Sequence, residues 1–161
     1  MTYEIDAKRG VANHYGVRTT DGSKGAQSKS TGIVKRAQWD WTWDNLPDAG
    51  ANNLQWSIPA NATIVSAVLY VDTAFTSTST TTDLTIGLQE ADGTEIDNDG
   101  LVEADEATQT AIAVANSVIT GAGALIGKTV GAAAGELVVT PSVDDLLTGA
   151  GRVVVEYVLD K

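Results

Sequence analysis

The sequence lacks cysteine and has only one histidine, one phenylalanine and one methionine among its 161 residues. Without cysteine the chain can form neither disulfide bonds nor thiolate metal sites. No run of about 18 or more apolar residues is present, so no membrane-spanning helix is expected. The first residues, MTYEIDAKRG, also lack the apolar segment of a cleaved secretory signal. The length suits a single domain that buries a core without covalent cross-links.

Motifs of common enzyme classes are missing as well. The sequence contains no GxSxG, P-loop or GxGxxG pattern. Its single histidine, His14, lies in a polar, glycine-rich segment that would not hold it rigidly against a nucleophile. We therefore expect a protein that is not an enzyme and that binds no cofactor.

Charge is divided unequally along the chain. Residues 1–36 carry seven basic and three acidic side chains, a net charge of +4, and the remainder carries three basic and 18 acidic ones, a net charge of −15, which together give −11. Such asymmetry indicates an arm with its own partner, attached to a body that polyanions repel. The basic residues of this arm and of its junction with the body are Lys8, Arg9, Arg18, Lys24, Lys29, Lys35 and Arg36.

The segment VANHYGVRTTDGSKGAQSKSTG, residues 11–32, has few large apolar side chains and no sustained period of 2 or 3.6 residues. Such a segment cannot bury enough surface to offset its backbone entropy and should become ordered only when it docks on another chain. The sequence thus predicts an extended basic N-terminal arm over residues 1–32, followed by a folded domain over residues 33–161.

Nucleic acid is a poor partner for this arm. A net charge of +4 could contact about four phosphates, which gives only weak, nonspecific binding. The acidic body opposes the approach of any polyanion, and no RRM, KH or helix-turn-helix context is present. A protein surface with acidic patches is the better partner, and we expect neither nucleic-acid nor membrane binding.

After the arm, apolar and polar residues alternate. In KRAQWDWTWD, the residues Trp39, Trp41 and Trp43 recur at every second position, which predicts a strand with the three indoles on one face. In TIVSAVLYVD, alternation predicts a core strand with Val65, Ala67, Leu69 and Val71 on one face. Other strands are expected in LQWSI, LTIGLQ, LIGKTV, ELVVTP and RVVVEYVLD.

Turn and cap signals complete the pattern. Asp92-Gly93 predicts a hairpin turn, and DEATQTAIAVAN, residues 105–116, predicts one short helix. Seven or eight short strands with few helices are typical of an all-β protein. The predicted fold is an antiparallel β-sandwich or jelly-roll-like domain with one short helix.

The tryptophan row allows three interpretations: a core face, a contact surface for a partner, or a sugar-stacking platform like that of a carbohydrate-binding module. Indoles bury large areas and are frequent in interfaces, and an exposed row would promote aggregation. A core or interface anchor is therefore preferred. A carbohydrate-binding β-sandwich module that serves host attachment is the alternative.

An acidic run invites a calcium hypothesis. In EIDNDGLVEADE, the residues Glu95, Asp97, Asp99 and Glu106 stand at positions 1, 3, 5 and 12 of an EF-hand loop, with Gly100 at position 6. Position 1 normally requires Asp, and the preceding residues resemble a hairpin strand instead of an entering helix. No metal site is expected, and these four acids are the ligands if calcium does bind.

Three segments taken together resemble a known family. IPANATIVSAVLYVDTAF, LTIGLQEADGTEID and GAGRVVVEYVLD, within roughly residues 55–161, resemble the small head decoration, or cement, proteins of tailed bacteriophages. The resemblance implies a structural virion protein, made in the host cytoplasm, that lies on the outer capsid surface and clamps neighbouring subunits of the major capsid protein. It also implies a homo-oligomer, often a trimer. The basic arm is not part of the shared pattern.

Overall fold

The computed structural model describes residues 33–47 and 57–159, together with two short strands near the N-terminus, β1 (Asn13–His14) and β2 (Gln27–Ser28). The chain divides into two units, Met1–Ile33 with Lys161, and Val34–Asp160. In the first unit, β1 and β2 form an antiparallel ladder in which Asn13 pairs with Ser28 and His14 with Gln27. The five arm residues Lys8, Arg9, Arg18, Lys24 and Lys29 lie outside the described residues, as does Trp56.

The second unit contains two four-stranded sheets in which every pair of neighbouring strands is antiparallel. Its elements are β3 (Lys35–Thr42), β4 (Ser57–Ile58), β5 (Ala62–Ser77), β6 (Leu84–Gln89), β7 (Glu95–Val102), α1 (Gln109–Ile112), β8 (Val118–Thr120), β9 (Gly135–Pro141) and β10 (Leu146–Leu159). The strand order is β3-β10-β5-β8 in the first sheet and β4-β9-β6-β7 in the second. The expected all-β sandwich with one short helix is confirmed.

The two sheets share one apolar core. Leu69 of β5 and Val153 of β10 are fully buried, and so are Ile86 of β6 and Leu137 of β9 from the other sheet. Leu69 lies between the more exposed Val68 and Tyr70, because successive side chains of a strand point to opposite faces. Val138 and Val154, next to Leu137 and Val153, are buried as well. In β6 the alternation predicted from LTIGLQ places Leu84, Ile86 and Leu88 in the core.

One prediction for the core strand β5 is wrong. Ala67, Leu69 and Val71 are buried as expected, but Val65 is 43 % exposed and its neighbour Ile64 is fully buried. The register of β5 against β10 shifts at this point, since Glu156 pairs with Ser66 but Tyr157 pairs with Ile64. The shift leaves one extra residue in β5, so that the side chains on its N-terminal side point to the opposite faces of the sheet from those expected. Ile64 therefore lies in the core in place of Val65.

The helix is shorter than residues 105–116. The structure places α1 at Gln109–Ile112, and the side chain of Thr108 caps it by accepting a hydrogen bond from the Ala111 backbone N–H. The sequence pattern missed the strand β8 that follows. Of the strand predicted in LIGKTV, the structure contains one antiparallel bridge, between Thr129 and Thr63. This segment runs as turns along β5, where Ile64 N–H donates to Lys128 O and Val130 N–H donates to Ala62 O, both at 2.9 Å.

Glycines in the connection after β8 allow the two sheets to be joined closely. A Cβ atom at Gly121 would collide with the carbonyl oxygen of Leu101, and one at Gly123 would collide with the backbone of Gly100. Leu125 N–H donates to Gly100 O at 2.8 Å in the same region. These glycines therefore allow the backbone of the connection to lie directly against β7. The sequence pattern indicates only that they interrupt the regular structure.

The only phenylalanine of the chain is the centre of an aromatic contact between three strands. Phe75 of β5 stacks on Trp41 of β3, with ring centroids 4.9 Å apart and an interplanar angle of 18°. The same ring lies over β10, where a Cβ at Gly149 would collide with it and one at Gly151 would lie 3.2 Å from its Cζ. Gly149 has a φ of +127°, which side chains rarely tolerate.

This contact predicts that Gly149→Ala strongly destabilises the protein. The added methyl group must displace the Phe75 ring and also adopt a positive φ, so we expect a loss of roughly 2–4 kcal/mol in the free energy of unfolding. Urea denaturation followed by tryptophan fluorescence measures this loss.

Gly93→Ala is the matched control, because Gly93 also has a positive φ, +85°, but no atom lies within 4 Å of its Cβ position. We expect it to lose only about 1 kcal/mol, the conformational part alone. Equal losses in the two variants would show that the contact with Phe75 does not contribute.

Candidate interaction surface

The strand β3 begins where the predicted arm ends and lies at the edge of the first sheet. Lys35 and Arg36, the last two residues of the basic set, are exposed at its start. Ala37, Trp39 and Trp41 point into the core. One strand thus joins the basic end of the arm to the interior of the sandwich.

The three tryptophans of the row do not share one environment. Trp39 and Trp41 are 3 % and 4 % exposed, whereas Trp43 is 43 % exposed and lies beyond Thr42, the last residue of β3. The expected row of three indoles on one strand face is therefore wrong at Trp43, since the chain turns there and Asn45 N–H donates to Thr42 O at 3.0 Å. The Nε1 atom of Trp41 is buried without a hydrogen-bond partner.

Trp39, Trp41 and Trp43 do not form the exposed three-indole row that a sugar-stacking platform would need. A sugar ring stacks on the face of an indole that solvent can reach. The faces of Trp39 and Trp41 are in the core, where Trp41 stacks on Phe75. Both residues hold β3 to the sandwich, and Trp43 is left as an exposed aromatic side chain at the end of the strand.

The outer face of β3 carries a ladder of polar side chains. Nη2 of Arg36 donates to Oε1 of Gln38 at 3.4 Å, and Nε2 of Gln38 donates to Oδ1 of Asp40 at 3.1 Å. The ladder is fixed in place by its own hydrogen bonds and presents a positive charge at one end and a negative charge at the other. Sequence reasoning missed it, although RAQWD shows the alternation of polar residues from which it follows.

The same face continues across β10 and β5. The guanidinium of Arg152 lies 4.9 Å from the ring centroid of Tyr70 and 3.6 Å from Oδ1 of Asp72, and its Nε is buried without a partner. Arg152 is opposite Asp40 in the register, and the Ser66 hydroxyl donates to Oε2 of Glu156 at 3.2 Å. The face is therefore polar and charged, with both signs represented.

The acidic run forms a strand and not an EF-hand. Glu95, Asp97 and Asp99 lie on β7, which follows the hairpin turn at Gly93, so no helix enters the supposed loop. Glu106 bonds elsewhere, because Oε2 accepts from Glu103 N–H and Oε1 from Ala122 N–H. Among the described residues, no group of three or more His, Cys, Asp or Glu side chains is arranged to hold a metal ion.

Two carboxyl groups at this hairpin have pKa values shifted in opposite directions. Burial, together with a hydrogen bond and charge repulsion from Asp99, raises the pKa of Asp97. Hydrogen bonds from Thr94 lower the pKa of Asp92, and the backbone nitrogen of Thr94 lies 2.9 Å from Oδ1 of Asp92. Both shifts start from an ordinary value of 3.8.

We predict that Asp97→Asn raises the melting temperature at pH 7 and leaves it nearly unchanged near pH 3. A raised pKa in the folded state means that Asp97 contributes stability below pH 3.8, and this contribution is lost as the pH rises through the folded-state pKa. Asparagine carries no charge, so the variant lacks the unfavourable desolvation and repulsion of the ionised Asp97 carboxylate. Differential scanning calorimetry between pH 3 and pH 7 measures the change.

Asp92→Asn is the control at the same hairpin and has the opposite sign. Because the pKa of Asp92 is lowered in the folded state, its ionised carboxylate contributes stability above pH 3.8, and this contribution is lost as the pH falls through the folded-state pKa. The variant should therefore be less stable than the wild type at pH 7. A destabilised Asp97→Asn variant at pH 7 would contradict the assignment of the raised pKa to burial and charge repulsion.

Comparison with solved structures finds chains of similar fold. The chain is similar in structure to a chain in the cyanophage Pam1 capsid asymmetric unit, with a TM-score of 0.50 and 19 % sequence identity over 89 % of this chain and 98 % of that one. The likeness is one of fold. A chain of the capsid of Ralstonia phage GP4 aligns with a TM-score of 0.49 and 20 % identity over 83 % of this chain and 89 % of that one. No protein-family model and no curated protein matches the sequence.

No helix in the described part of the chain has the length and apolar character needed to cross a bilayer.

The only histidine of the sequence, His14, lies on the two-residue strand β1, and its backbone pairs with Gln27 of β2.

Proposed function

We propose that the protein is a structural component of a bacteriophage virion that decorates the outer capsid surface and stabilises the lattice of the major capsid protein. The observation that carries the proposal is the fold likeness to a chain of a phage capsid, which extends over nearly the full length of both chains. The decoration-protein resemblance of residues 55–161 points in the same direction. The role is structural and requires no catalytic group.

Contact with the lattice is assigned to the basic arm and its junction with β3. The body from Ala37 to Gly127 contains no lysine or arginine, so it offers little to an acidic protein surface. The arm and the start of β3 carry the positive charge, and Lys35 and Arg36 are exposed at the junction. Trp39 and Trp41 hold this junction to the core, which gives the arm a defined point of exit from the sandwich.

A capsid lattice makes weak arms effective. The resemblance implies a homo-oligomer, with the trimer as the expected form, and each copy of the chain then supplies one arm. Once one arm of an oligomer has docked, the others bind at a high local concentration, which can raise the overall affinity about 10²–10⁴-fold without new contacts. The acidic body, which faces solvent in this arrangement, keeps decorated particles apart.

Co-sedimentation tests the proposal. The full chain is mixed with undecorated empty shells assembled from the major capsid protein of the same phage, and binding is followed against salt concentration. We expect saturable binding that weakens as salt rises, because charge attraction between the arm and the shell is screened. Absence of binding at low salt would refute the decoration role.

A matched pair of variants isolates the arm. Changing Lys8, Arg9, Arg18, Lys24 and Lys29 to glutamine keeps the length of the arm and removes its charge, whereas deletion of residues 1–32 removes both. We expect the glutamine variant to lose most of the binding and the deletion variant to lose all of it, with unchanged melting temperatures of the body. Full binding by either variant would leave the decoration role intact and assign it to another surface.

A further inference from the structure

Among the residues that the structure describes, no group bonds to the outward-pointing backbone at the edge of β3 that faces away from β10. In an antiparallel strand, the N–H and C=O groups of one residue point to the same side, and those of the next residue point to the other side. Trp43 N–H donates to the O atom of Gly149 in β10 at 3.1 Å, and Thr42 C=O is turned away to accept from Asn45. The register between β3 and β10 runs without a shift from Lys35 to Thr42.

The alternation assigns each residue of β3 to one side. The backbone groups of Ala37, Trp39 and Trp41 point to β10, and those of Arg36, Gln38 and Asp40 point to the outer edge. In the described part of the chain, no backbone or side-chain group bonds to the backbone of these last three residues. Such an edge is a ready template for another strand, and proteins usually shorten, cover or kink strands in this position.

We propose that this edge pairs with the same edge of a second copy of the chain, antiparallel and about a two-fold axis that passes through Gln38. In this register Gln38 faces Gln38 of the second copy, and Arg36 faces Asp40 at both ends of the contact. The three residues with outward backbone groups then form three hydrogen-bonded pairs. The two first sheets join into one continuous sheet across the axis.

Charge selects this register over its neighbours. A shift by two residues in one direction pairs Arg36 with Gln38, and a further shift pairs Arg36 with Arg36, so each shift replaces an opposite-charge pair. Shifts in the other direction lead in the same way to Asp40 facing Asp40. Opposite charges directly across an antiparallel pair are favourable and like charges are not. The polar ladder along Arg36, Gln38 and Asp40 holds the side chains in position for these contacts.

The inner face of β3 is compatible with the contact. Ala37, Trp39 and Trp41 are already buried in a single copy, so pairing needs no rearrangement of the core. One strand edge buries less than the roughly 1,200 Å² of a stable interface, so a monomer–dimer equilibrium that depends on concentration is expected. The contact is closed by its two-fold axis, so a trimer of the chain would have to use a different surface.

Cysteine cross-linking tests the register directly, because the wild-type chain contains no cysteine. In Gln38→Cys, the two Cα atoms of a hydrogen-bonded antiparallel pair lie about 5.5 Å apart, within disulfide range. Mild oxidation of the full-length variant should produce a covalent dimer, seen as a doubled mass on non-reducing gels.

The single variants Arg36→Cys and Asp40→Cys are matched controls on the same strand. Residue 36 faces residue 40 of the second copy, so equal cysteines lie about 13 Å apart and should stay unlinked when each variant is oxidised alone. A mixture of the two variants should form a mixed dimer. Linking of all three variants to the same extent, or of none, would overturn the proposal.

Gln38→Pro gives a readout without cysteine. Proline at this position removes an N–H that points to the edge and leaves the hydrogen bonds to β10 in place. Light scattering should show loss of the dimer with little change in melting temperature. A dimer that persists in this variant would contradict the proposal. The pairing does not depend on the capsid role, since shell binding and self-association are measured separately.

Discussion

The stacking of Phe75 between Trp41 and the glycines of β10 is the interaction on which the first sheet depends. Two strands that are far apart in sequence, β3 and β10, contact the one ring that β5 supplies. A flat aromatic side chain can lie on β10 only where no Cβ stands in its way. The register of β5 against β10 is irregular between Leu146 and Gly151, next to this contact. Burial of a large aromatic side chain typically contributes about 3–5 kcal/mol, and here the same contact holds β3 against the core.

Because β3 pairs with β10 on one side only, it lies at the edge of the first sheet, and its inner and outer groups have different roles. The side chains of Trp39 and Trp41 are used inward, so the strand cannot be displaced without opening the core. Its backbone at Arg36, Gln38 and Asp40 is directed outward, in the plane of the sheet. Core packing uses the side chains of Trp39 and Trp41, and edge pairing uses the backbone groups of the residues that alternate with them. The two kinds of contact therefore do not compete.

Local alternation was enough to predict most of the strands and the fold class, although it missed β8. The residues Leu84, Ile86 and Leu88 show why: their spacing of two matches the pleat, and all three are buried. Predictions failed where a distant partner decides the outcome. Val65 and Ile64 exchange faces because of a bulge against β10. The LIGKTV segment turns at Gly127, which has a φ of +78°, and bonds to the start of β5. Neither effect is encoded in the spacing of a few neighbouring residues.

The basic residues and the tryptophans could be identified from the sequence, but their relation to an open edge could not, since sheet order depends on pairing with β10. That order matters because of where the charges lie. From Ala37 to Gly127 the chain has acidic residues and no basic ones, so two copies that approach through most of this surface repel each other. At the β3 edge, Arg36 and Asp40 stand four residues apart with opposite signs, and an antiparallel copy presents the same pair in reverse order. Self-association of a strongly acidic protein is favoured where its charges are arranged in this self-complementary way. The β3 edge provides such an arrangement beside backbone groups to which no other described residue bonds.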